Sequence, residues 1–183
     1  MTERGSNRIT TIIFVWADTL MRDLRLPGPM AAWARVEAVP GSKEVLLALE
    51  GTVECCVASG VRSYAGNDVR EALERVDLAR HITHVDTAHD LGASKSDPAY
   101  YHALLARLGA TAESCVMVGD SYETDVLPAQ AAGLRTVWFA EGDRGGHAPD
   151  ADAVIHSLGE LIPTLERLGL LSPPTLPSRG FGA

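Results

Sequence analysis

The chain has 183 residues, 46% of them hydrophobic and 22% charged, with a formal net charge of −8. That length suits one domain with a sizeable core rather than two, and the acidic balance argues against nucleic acid or an anionic membrane surface as the main partner, while leaving room for a small local anion site. No apolar run approaches the ~20 residues of a spanning helix, and the polar stretch 1–8 lacks the apolar segment of a signal peptide, so a flexible N-terminus and a cytoplasmic location are expected.

In chain order, Thr10–Trp16 reads as a buried strand that stops at Ala17-Asp18-Thr19-Leu20. Ser42–Leu49 reads as a helix, with Ser42 as its N-cap after the Pro40-Gly41 turn. Val53–Ala58 is a second strand, and Asn67–Arg75 a helix capped by Asn67. Ile82–Val85 is a short third strand. Asp97-Pro98 opens a helix in the favoured order of cap then proline, and the helix stops at Gly109. Ser114–Val118 is a strand, Glu123–Ala132 a helix closed by Gly133, and Arg135–Phe139 a strand. Ala153–Ile155 is a last short strand before a helix over Leu158–Leu168. The tail from Ser172 is rich in Pro, Ser and Gly and is expected to be disordered. Such alternation predicts an α/β fold with a mostly parallel sheet. Functional residues should then follow Trp16, Ala58 and Val118, beyond the carboxyl ends of the strands. The three cysteines, with no C-x-x-C spacing, read as reduced core thiols. The six histidines show no metal-ligand spacing, and His81 and His84 read as surface or edge residues.

Two strand ends and one helix start carry candidate chemistry. After Val118 comes Gly119-Asp120-Ser121-Tyr122-Glu123-Thr124-Asp125. Asp120 and Asp125 could converge on Mg²⁺, or Asp120 could cap the helix and Asp125 lie at the surface. After Ala58, the Ser59 hydroxyl and the Gly60 backbone could hold a phosphoryl oxygen, or form a simple turn. Lys95 precedes a helix start, where a lysine can neutralise an anion or be merely solvated.

A strand ending in Asp18-Thr19-Leu20, a strand ending in Ser59, Lys95 before Ser96-Asp97-Pro98, and Gly119-Asp120-Ser121 with Asp125 occur in that order. Together they resemble the haloacid dehalogenase (HAD) superfamily, whose members are mostly phosphatases. The resemblance covers nearly all of residues 9–168. It implies a three-layer Rossmann-like domain and Mg²⁺-dependent phosphoryl chemistry through an aspartyl-phosphate. By motif position, Ser59, Gly60 and Thr19 would serve the phosphoryl group, and Lys95 would steady nucleophile and phosphate. Asp120 and Asp125 would hold the metal. The implied partner is a small phosphorylated molecule or a phosphoprotein.

The first motif departs from this pattern. Val15 stands at the nucleophile position, Ala17 at the acid/base position and Asp18 where the motif has Gly. Valine has no lone pair, so the covalent route is closed there. The Ala17 change is milder, since general acid–base help is typically worth ~10²–10⁴-fold. Asp18 is out of register with the motif's Thr19, so it is expected to offer an outer-sphere metal contact at most. With a ligand missing, Mg²⁺ should bind weakly or not at all, while phosphate should be opposed by fewer carboxylates. The alternative to a disabled phosphatase is a non-catalytic phosphate-binding or regulatory protein that keeps the fold. The family often inserts a helical cap between the first two strands. Residues 21–40 are too short and too rich in Pro and Gly for one, and read as a loop or minimal lid. A partner subunit, as in a homo-oligomer, could then supply a lid. Met21, Leu24, Leu26, Met30 and Trp33 either pack onto their own domain, the favoured reading, or offer a contact surface.

Overall fold

Ile12, Ile13, Phe14 and Val15 are apolar on both sides of the chain, as a strand covered on both faces requires. In the computed structural model, which describes residues 8–142 and 148–172, they belong to or follow strand β1, Thr11–Phe14. The stretch 1–7 and the tail 173–183 lie outside the described residues. Strands β2 (Glu54–Ser59), β3 (His84–Thr87), β4 (Cys115–Gly119), β5 (Arg135–Phe139) and β6 (Ala153–Ile155) complete a six-stranded sheet in the order β3-β2-β1-β4-β5-β6. Every pairing is parallel.

Successive strand side chains face opposite sides of a sheet, and the core divides accordingly. Ile12 and Phe14 join one buried cluster with α1 (Ser42–Leu49), α2 (Gly66–Glu74) and α6 (Leu161–Arg167), through Leu46, Leu73 and Leu165 among others. Ile13 and Val15 join a second cluster with α3 (Ala88–Leu91), α4 (Pro98–Leu108) and α5 (Leu127–Ala131), through Ala88, Tyr100, Leu104 and Ala129. The result is a three-layer α/β fold of Rossmann-like order. Among the described residues, the connection from β1 to β2 carries one short 3₁₀ turn, Met30–Ala32, and helix α1. No helix of the described residues is long and apolar enough to cross a membrane.

Helix α4 keeps its expected bounds: Asp97 accepts from the Ala99 N–H at 2.9 Å, Pro98 follows, and Gly109 closes it in the left-handed region at φ 63°. Elsewhere long-range contacts move the ends. Ser42 is not the cap of α1. Its hydroxyl instead donates to the carbonyls of Val39 and Leu20, at 2.7 and 2.9 Å, and left-handed Gly41 precedes the helix. Helix α2 starts at Gly66 rather than at an Asn67 cap, and the Asp68 carboxylate accepts from the Ala65 N–H at 2.9 Å. Strand β3 lies two residues later than expected, at His84–Thr87, after a 3₁₀ turn at Ala79–His81. His81, expected at the surface or an edge, is buried: Glu50 holds Nδ1, and the Arg80 Nε donates to Nε2 at 3.1 Å. The helix expected over 123–132 divides into a π-helical turn, Tyr122–Val126, and α5. That over 158–168 opens with a 3₁₀ turn, Leu158–Glu160. Met21, Met30 and Trp33 are buried against their own domain, whereas Leu26 is exposed.

Candidate functional site

The strand order reverses direction at β1, which places a crevice beyond the carboxyl ends of β1, β2 and β4. A cavity of about 410 Å³ lies there, and Val15, Ala17, Ser59, Lys95, Asp120 and Asp125 are in its wall. A larger cavity, about 490 Å³, sits at the opposite ends of the strands, beside Thr10, Glu54 and Cys55. Topology favours the first, where the strand-end side chains converge.

Parallel register sets the heights. Phe14 pairs with both Val57 and Val118, and the Val15 N–H continues the ladder to the Val118 carbonyl at 2.9 Å. Ser59 and Asp120, two residues beyond those partners, therefore flank the end of β1. Ser59 is 1% exposed and its hydroxyl accepts from the Val61 N–H at 3.2 Å, so it both shapes the turn and lines the cavity. The neighbouring Gly60 is exposed and lies against the aliphatic stem of Lys95.

Lys95 is not a solvated lysine. It is 6% exposed, and its Nζ is 2.6 Å from Asp125 Oδ1. Nor is Asp125 at the surface: it is 2% exposed, and its Oδ2 accepts from the Ser121 N–H at 2.8 Å. The π-helical turn supplies the extra residue that turns this carboxylate inward, a frequent device at functional sites. Gly119 is what lets it enter, since a Cβ there would stand 2.5 Å from Asp125 Oδ2. Asp120 does not cap the turn; Ser121 does, accepting from the Thr124 N–H. One oxygen of Asp120 instead accepts from the fully buried Thr19 hydroxyl at 2.9 Å. Burial, and then the Asp125 charge, push the Asp120 carboxyl above its usual range, against the opposing pull of Thr19.

Asp18 takes the left-handed conformation, φ 55°, which Asp tolerates better than most residues. It is turned into the loop: Oδ1 accepts from the Asp23 N–H at 3.0 Å, and Oδ2 accepts from Arg25 at 3.2 Å. Asp23 and Arg25 also reach the cavity wall, and no local pattern in the sequence marks them. Tyr100 and Tyr101 were missed as well. The Tyr100 hydroxyl donates to the Ser59 carbonyl at 3.1 Å, and that of Tyr101 to the Thr124 carbonyl at 3.0 Å, so α4 holds two of the strand-end loops. Burial pushes both phenols up, keeping them donors. Adjacent tyrosines just after a helix start are the one signal that could have found them.

The residues present fit a magnesium site poorly. Val15 and Ala17 offer no side-chain oxygen, and both oxygens of Asp125 and of Asp18 are engaged. Among the described residues no group of three or more His, Cys, Asp or Glu could hold a metal ion. Asp120 is left with an oxygen not bonded to Thr19, the low end of the one or two carboxylates by which a Mg²⁺ ion that keeps its waters is usually held.

A parallel sheet with its polar cavity at the switch point defines a Rossmann-like α/β protein. The chain belongs to the haloacid dehalogenase-like hydrolase family, whose model matches residues 8–133. It is 34% identical over 133 residues to the ribulose-1,5-bisphosphate 5-phosphatase of Halopiger xanaduensis, covering 67% of this chain and 54% of that protein. It is 30% identical over 137 residues to the glyceraldehyde 3-phosphate phosphatase of Pyrococcus furiosus, covering 70% and 55%. The chain thus spans about half the length of these phosphatases. The fold is also that of the HAD-hydrolase YfnB of Bacillus subtilis, solved with magnesium bound, at TM-score 0.70 and 16% identity, covering 86% of this chain and 99% of that one.

Proposed function

We propose that this chain keeps the phosphoryl-binding part of a HAD-type site and lacks its covalent part. It would bind a small phosphorylated molecule without hydrolysing it through an aspartyl-phosphate. The observation that carries the reading is Val15, which lines the cavity at the end of β1 in the company of Ser59, Lys95 and Asp120. By motif position this is where the family's nucleophile belongs, and a valine has no oxygen with which to attack phosphorus. Ala17, two residues further on, brings no acid to protonate a leaving group. The binding half is supported by the Ser59 hydroxyl, the backbone at exposed Gly60 and the Lys95 ammonium, which lie around one cavity. Lys95 is shared with Asp125, and Arg25 with both Asp18 and Asp23, so with Asp120 the wall sets four carboxylates against two cations, and an anion there would rely on the hydroxyl and backbone donors more than on net charge. The phosphatases of the family are generally Mg²⁺-dependent. Here Asp120 alone would meet the ion, so phosphate binding is expected to change little with Mg²⁺.

Two measurements test this. Aryl phosphate hydrolysis with Mg²⁺ should be absent in the protein and appear in the Val15→Asp variant, since a missing nucleophile removes the mechanism itself. Calorimetry should detect inorganic phosphate with or without Mg²⁺. Turnover by the unaltered protein would overturn the inactive reading. Failure to bind phosphate under either condition would overturn the binding reading.

A further inference from the structure

Ala17 lines more than the polar cavity. A second cavity, about 350 Å³, adjoins it along the loop 21–40, and the two share Trp16, Ala17, Asp23, Arg25 and Val61 as common wall. Beyond that wall the chemistry changes to Leu26, Met30, Trp33 and Tyr64. Trp33 is fixed in place: its indole N–H donates to the carbonyls of Pro27 and Gly28, both at 3.1 Å. From outside, Arg75 at the end of α2 donates to the carbonyls of Ala31 and Trp33, at 3.0 and 2.5 Å. The apolar chamber is therefore formed in advance and need not be assembled by a ligand, which lowers the entropic cost of filling it.

Resting on the reading that the polar cavity holds a phosphoryl group, we propose that the two cavities take one molecule. It is the phosphomonoester of an aromatic or similarly bulky apolar alcohol. The phosphoryl end would lie by Ser59 and Lys95, and the ring between the side chains of Trp16, Trp33 and Tyr64. The volume suits one ring system. A polyol phosphate fits worse, because beyond the shared wall its hydroxyls would exchange water for Leu26, Met30 and Trp33 without replacing their hydrogen bonds. Aromatic walls add an offset or edge-on preference for a ring.

Calorimetry on the full chain at one fixed salt concentration tests this with inorganic phosphate, glycerol 3-phosphate and phenyl phosphate. Phenyl phosphate should bind about tenfold or more tightly than either of the others, as burial of a ring implies. Tyr64→Ala and Leu26→Glu alter residues outside the buried core. Both should bring the phenyl-to-phosphate ratio towards one with an unchanged circular dichroism spectrum. Phosphate binding with no gain from the ring, or a gain that survives both substitutions, would overturn this inference alone. Failure of all three ligands to bind would remove the underlying reading and this one with it.

Discussion

Asp90 takes three hydrogen bonds on one oxygen, from the Thr87 hydroxyl at 2.8 Å, the Gly66 N–H at 2.8 Å and the Thr87 N–H at 3.0 Å. It thereby ties the end of β3 to the starts of α2 and α3. Burial alone would raise its carboxyl, but these bonds outweigh burial and hold it below its usual range. A carboxylate whose folded pKa is depressed stabilises the fold above its unfolded value, about 3.9, and loses that contribution as pH falls through the folded pKa. Asp90→Ala is therefore expected to cost about 1–3 kcal/mol at neutral pH, and less at about pH 3. Guanidinium melts of both proteins at the two pH values measure this, and a difference independent of pH would contradict it. At the same scale, the candidate site was partly legible. Ser59, Lys95, Asp120 and Asp125 were singled out by motif order, and they line one cavity. What order could not reveal is that Lys95 and Asp125 satisfy each other in the interior. Such a pair adds little net stability, yet removing one partner strands a buried charge.

Elements whose ends are decided by adjacent residues were legible; those decided by distant contacts were not. Helix α4 has its cap, proline and closing glycine in sequence, and it starts and stops where they say. The start of α2 is decided elsewhere: a Cβ at Gly66 would stand 2.2 Å from the Val85 carbonyl, so β3 determines which residue can open that helix. The loop 21–40 is the extreme case, being held by partners far away in the chain. Its base is closed by backbone bonds from Arg22 to Glu37 and from Val39 to Leu20, each 2.9 Å. The Arg22 side chain pairs with Glu141, after β5. Its crest rests on Arg75, whose donors are charged while its acceptors are loop carbonyls. Arg75→Ala should cost about 1–2 kcal/mol and free the crest without unfolding the sheet. Trypsin reads this out, because Arg25 and Arg35 in the loop are exposed. Cleavage there should quicken severalfold in the variant. An unchanged rate would mean that the closed base alone holds the loop.

Across the whole molecule the sheet separates two cores, and a cavity lies at each end of its strands. The thiols test how firmly it does so. Cys55, Cys56 and Cys115 are free and buried on the central strands β2 and β4. Two of them, Cys56 and Cys115, belong to the core beside α4 and line neither of these cavities. Cys55 faces the other core and borders the cavity at the amino ends of the strands, which is a route for a small reagent. Chemistry opposes that route. Burial, followed by the charges of Cys56 and Glu50, pushes the Cys55 thiol up to about 12. Its reactive thiolate at pH 7 is then on the order of 10⁻⁵ of the total. Burial raises Cys56 and Cys115 as well. All three should therefore react with a maleimide only when the sheet opens as a unit. Their labelling should be slower than in denaturant by a factor of about 10³ or more. The opening free energies for the three sites, read by mass spectrometry, should agree with one another and with the guanidinium melt. Fast labelling confined to Cys55 would show that the cavity at the amino ends admits reagents to the strand without any opening of the fold.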